Sequence, residues 1–114
     1  MITLRFRVQT QDSRCRQRHT LRETMLCQIE SPDGGYICPA KVLNVSVRGI
    51  GLLVTELFER DTRLSLTITS ANELLLSEEL CVVRHVRQRA MGGYILGCEF
   101  DKRLSPGAVR RLYR

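Results

Sequence analysis

The stretch from Met25 to Asn44, MLCQIESPDGGYICPAKVLN, decides the fold class. Met25, Cys27 and Ile29 alternate with Leu26, Gln28 and Glu30, the period-two pattern of a strand with one face against a core. Ser31-Pro32-Asp33-Gly34-Gly35 is a dense turn signal, and Tyr36 to Asn44 returns as a second strand, so the segment predicts a β-hairpin. Outward from it, Ile50, Leu52 and Val54 predict a third strand just after Gly49. Leu64, Leu66 and Ile68, alternating with Ser65, Thr67 and Thr69, predict a half-buried fourth. Glu73 to Leu80 fits a helical turn or a strand interrupted by a bulge. Extended structure is preferred, because Cys81 to Arg89 continues as a strand and Ala90-Met91-Gly92-Gly93 reads as its hairpin turn. Tyr94, Leu96, Cys98 and Phe100 form the last strand. Ser105-Pro106 then opens a short helix, with Ser as N-cap and Pro at the first helical position. The expected fold is mainly β: a six-stranded antiparallel barrel with a short C-terminal helix over one opening or edge.

The chain has 114 residues, enough for one hydrophobic core. Its formal net charge of +6 suits a polyanionic partner, and sixteen of its eighteen basic residues are Arg, with only Lys41 and Lys102 as Lys. Arginine presents a planar fork that grips phosphates and guanine edges, where lysine is a hydrated point charge. Arg5, Arg7, Arg14, Arg16, Arg18 and Arg22 crowd the first 22 residues against a single acid, Asp12. Residues 1–22 therefore read as an N-terminal strand and arginine-rich, flexible arm, and 23–114 as the barrel with its helix, a single domain overall. The five cysteines (Cys15, Cys27, Cys38, Cys81, Cys98) are odd in number and form no C-x-x-C pair, against both a disulfide framework and a zinc ribbon. A reducing, cytoplasmic setting is expected, and no apolar run approaches the length of a membrane span.

Two motifs carry chemistry. Arg18-His19-Thr20-Leu21-Arg22 is an R-x-x-x-R within the arginine cluster. Arg14-Cys15-Arg16-Gln17-Arg18 satisfies the same spacing, but Arg22 leads directly into the first strand, so Arg18 and Arg22 are the preferred pair. Several guanidiniums on one arm can bond guanine O6 and N7, pair with phosphates and stack on bases. The plain alternative is a non-specific polyanion-binding tail. The second motif, Asn44-Val45-Ser46-Val47-Arg48-Gly49, is an N-x-S-x-x-G at a strand junction. Such residues commonly make a tight turn. An Asn amide also offers a donor and an acceptor to a guanine edge, and Ser adds a hydroxyl. Gly49 can let the backbone approach a ligand or take up positive φ.

In this order, the two motifs resemble the signature of PilZ domains, small bacterial β-barrels that bind cyclic di-GMP. Cys81-Val82-Val83-Arg84 is similar to the family's V-V-R strand and Leu96-Gly97-Cys98-Glu99-Phe100 to its L-G-x-x-F strand. The resemblance runs from about Arg14 to Arg114. It implies a cyclic di-GMP site made by Arg18, Arg22, Asn44, Ser46 and Gly49, with Arg14, Arg16 and Arg84 as auxiliary contacts. It further implies a receptor that orders its arm on binding and signals to a protein partner, with no cofactor beyond the ligand.

Two rivals stand beside it. A basic barrel for RNA or single-stranded DNA normally uses exposed aromatic platforms, whereas aromatics are 5% of this chain, Trp is absent, and Tyr94 and Phe100 read as buried. The other is a PilZ-fold adaptor working by protein contacts alone. Neither His19 nor His85 belongs to a catalytic set, and no nucleophile–base or metal-ligand spacing stands out, so an enzyme is the least expected class.

Overall fold

The alternating segments become six strands. The computed structural model describes residues 20–113, with β1 at Met25–Glu30, β2 at Tyr36–Val45, β3 at Gly49–Val54, β4 at Arg63–Ser70, β5 at Glu73–Gln88 and β6 at Tyr94–Phe100. All pairings are antiparallel, and the order β1-β2-β3-β6-β5-β4 closes as β4 returns to β1. Closure leaves no long free edge and turns alternate side chains into one interior. Ile29, Leu52, Leu64, Leu66, Ile68 and Leu96 are fully buried there. Side chains fill a barrel of this size, so the interior is core and the outer wall is the surface available to a ligand.

The ambiguous Glu73–Leu80 segment is extended and joins the next strand to make β5, 16 residues long. Glu78 takes a positive φ of 51° next to a register irregularity, so the expected bulge is present within the strand. Two expectations need adjustment. The face of β4 opposite its leucines is less exposed than the alternation suggested: Ser65 is buried and Thr67 and Thr69 are half-buried, while Ser70 is buried on the leucine side. Tyr94 is half-buried, whereas Phe100 is buried as expected.

Helix α1 spans Pro106–Leu112, with Ser105 as N-cap accepting a hydrogen bond from the Ala108 N–H and Pro106 in the first turn. Its end is anchored by Leu112, which is fully buried. The last residues assigned to the arm are docked on this end: Leu21 makes an isolated antiparallel bridge with Tyr113, and the Arg22 N–H donates to the Leu112 carbonyl at 3.1 Å. The rest of that arm, including Arg14, Arg16, Arg18 and His19, lies outside the described residues. Among the described residues no helix is long and apolar enough to cross a membrane.

Candidate ligand site

Two β-bulges bring the site together. On β2 the register runs from Val42 opposite Leu52 to Asn44 opposite Gly51, so one residue is left over. Leu43 and Asn44 consequently follow one another on the outer side while Val42 and Val45 stay buried. On β5, Val83 opposes Cys98 and His85 opposes Gly97, and the extra residue makes Arg84 and His85 both exposed. Gly51 in turn opposes Gly97. The result is one row across four adjacent strands: Asn44, Gly51, Gly97, His85.

The two glycines keep the middle of that row low. A Cβ on Gly51 would lie 2.9 Å from Asn44 Oδ1, and one on Gly97 would lie 3.4 Å from His85 Cδ2. The amide and the imidazole thus rest against bare backbone from opposite sides. Around them opens a groove of about 780 Å³, also lined by Ser46, Arg48, Gly49, Arg84, Arg87 and Glu99. That volume is within the range of small-molecule sites. Three arginines against one carboxylate give the rim a positive balance.

Ser46 shapes the junction between β2 and β3. Its N–H donates to the Gly49 carbonyl at 2.9 Å, and its Oγ accepts from the N–H groups of Arg48 and Gly49, each at 3.3 Å. This is a serine-stabilised turn, and it places Arg48 on the groove rim. Gly49 does not take positive φ. It is needed for another reason: a Cβ there would collide with the Cys98 carbonyl oxygen on β6.

Arg84 is held by two carboxylates, Nε to Glu99 Oε1 at 2.9 Å and Nη1 to Asp61 Oδ1 at 3.3 Å. The hydrogen bond to Glu99, more than the surrounding charges, raises its guanidinium above the ordinary value. With five donors on the fork, further N–H groups remain for an anion.

Arg22 is placed elsewhere. Its Nη1 meets Glu73 Oε1 at 3.0 Å, while Arg111 approaches the other oxygen of the same carboxylate at 3.6 Å. Arg22 is therefore directed to the start of β5 and does not line the groove. Of the residues expected at the ligand, the structure gathers Asn44, Ser46, Gly49 and Arg84 and leaves Arg22 apart. Arg14, Arg16 and Arg18 lie outside the described residues.

Sequence reasoning did not assign Arg48, Gly51, Arg87 or Gly97 to the site; it weighed His85 beside Arg84 as a pocket-lining residue without choosing it. The signal for His85 was present in Val83-Arg84-His85-Val86, where two polar residues between apolar ones break the alternation as a bulge does. The buried cysteines belong to the core, and Cys98 alone of the four also borders the groove. Burial, with smaller contributions from Cys98 and Cys38, pushes Cys27 up to about 12, and a hydrogen bond with Cys98 together with burial also raises Cys81. Such protonated thiols act as small hydrophobes.

The PilZ domain model matches residues 11–114. No curated protein and no solved structure matches the chain significantly.

Proposed function

Because this chain belongs to the PilZ domain family, a family of binding and adaptor modules, we propose that it is a cytoplasmic bacterial receptor for cyclic di-GMP, with the groove over Gly51 and Gly97 as the barrel's half of the site. The observation that carries this reading is the row Asn44–Gly51–Gly97–His85 beneath a rim of arginines. The exposed Asn44 amide can address a guanine edge, and flat bases can lie close where glycine leaves the wall low. Arg48, Arg84 and Arg87 offer guanidiniums to the phosphates and to guanine O6 and N7. Ser46 and Gly49 hold the junction that presents Asn44.

The arm supplies the other half. Arg18 belongs to both R-x-x-x-R spacings, and the ion pair of Arg22 with Glu73 supports Arg14 and Arg18 as the ligand pair, with Arg16 beside them. Arg22 then serves as the root of the arm. Ligand charge neutralises these arginines and fixes them against the barrel, and the altered surface is what a protein partner reads.

Calorimetric titration with cyclic di-GMP, GTP and a short oligonucleotide tests the reading. Cyclic di-GMP is expected to bind near the micromolar range, about −8 kcal/mol, and the other two at least tenfold more weakly. Tight oligonucleotide binding without cyclic di-GMP binding would establish the nucleic-acid alternative, and no binding of any of the three would leave the adaptor role.

A further inference from the structure

Tyr113 joins three parts of the molecule that the sequence keeps far apart. The pairing of β1 with β2 runs no further than Cys27 opposite Ala40, yet β2 continues to Val45. Beyond Ala40, no strand among the described residues lies on the β1 side of β2. Antiparallel ladders alternate the direction of their backbone groups, and the Ser46 N–H already closes onto Gly49. The N–H and C=O of Val45 accordingly turn away from β3. One hydroxyl meets both: Tyr113 Oη accepts from the Val45 N–H at 3.1 Å and donates to the Val45 carbonyl at 2.8 Å. It supplies the rung that no strand among the described residues provides there.

Val45 lies between Asn44 and Ser46, so this hydroxyl grips the middle of the ligand motif from behind. The main chain of Tyr113 bridges Leu21, and the neighbouring Leu112 carbonyl receives the Arg22 N–H. The position of Tyr113 is itself fixed, by the burial of Leu112 and by its own N–H donating to the Arg110 carbonyl at 3.2 Å. Approach segment, helix end and ligand motif thus meet in one residue.

We infer that Tyr113 is a positioning residue that couples the root of the N-terminal arm to the Asn44/Ser46 motif, its hydroxyl setting the motif and its main chain holding the arm. The coupling rests on the cyclic di-GMP reading of the groove. A ligand that steadies Asn44 and Ser46 steadies Val45, and through Tyr113 the segment from which the arm departs. Loss of the hydroxyl leaves two backbone groups of β2 without this partner while the ring still packs.

Tyr113→Phe in the full chain, labelled with ¹⁵N, separates these claims. Without ligand, amide exchange at Val45 is expected to speed up about tenfold while Leu66 and Leu96 in the core are unchanged. With cyclic di-GMP, the variant is expected to bind about five- to tenfold more weakly. Ligand should slow exchange at the Arg22 amide in the parent but not in the variant, a signature that a purely structural role would not move. Equal affinity of parent and variant, or ligand protection of Arg22 that survives the substitution, would overturn the coupling. Unchanged exchange at Val45 would overturn the hydroxyl's grip. A parent that does not bind cyclic di-GMP at all would remove the ligand reading and the coupling with it, and the exchange at Val45 would still decide the grip on its own.

Discussion

Gly49 and Gly51 stand two residues apart on β3 and answer to different constraints. A methyl group on Gly49 would strike the backbone of Cys98, which cannot swing aside. Gly49→Ala is therefore expected to lower stability by about 1–3 kcal/mol, read as a fall in the urea midpoint. At Gly51 the obstacle is the Asn44 amide, a side chain that can rotate away. Gly51→Ala is expected to unfold within about 1 kcal/mol of the parent and to bind cyclic di-GMP at least fivefold more weakly, because Asn44 leaves its seat. The reverse pattern, stability lost at Gly51 and affinity unaffected, would contradict the assignment of Gly51 to the groove floor. Gly49 was legible in the sequence because it completes a motif. Gly97 also sits in a motif, L-G-x-x-F, but its place with Gly51 on the groove floor was not legible, since that appears only when the register sets the two side by side on neighbouring strands.

At the scale of elements, the strands and the helix could be read from local patterns, because alternation and capping are properties of adjacent residues. The bulges at Leu43–Asn44 and Arg84–His85 were harder to see, since each reverses the inside–outside phase within a strand that otherwise keeps its period. The anchoring of the arm's root was not legible for a related reason. Arg22 looked like part of an unanchored run of like charge, but its anchor, Glu73, lies 51 residues further along the chain. The pair is exposed enough that its loss should change stability by no more than about 0.5 kcal/mol. Arg22→Ala is accordingly expected to keep cyclic di-GMP affinity within threefold, and Arg14→Ala and Arg18→Ala to reduce it at least tenfold by calorimetry. If Arg22→Ala abolished binding and Arg14→Ala did not, the Arg18/Arg22 spacing would be the functional one.

For the whole molecule, closure of the barrel decides where recognition can occur. The interior is occupied by residues such as Leu52, Leu66 and Leu96, and the wall opens its groove of about 780 Å³ where bulges splay side chains apart over two glycines. The number of strands was evident from the sequence. A closed or nearly closed barrel was expected too, but not that β4 and β1 are the closing pair, because the pairing of Met25 with Ser70 is non-local and no turn signal announces it. The fold in this sense precedes the site: two bulges and a row of glycines create the groove, and the positive balance of its rim suits an anion. The most direct test is to map backbone amide shifts of the ¹⁵N-labelled chain as cyclic di-GMP is added. The largest changes are expected at Asn44–Gly51, Arg84–Arg87 and Ile95–Glu99, the three segments that line the groove. Changes confined to the β1–β2 turn at Ser31–Gly35 or to the turn at Ser70–Glu73, with those three segments unmoved, would contradict it.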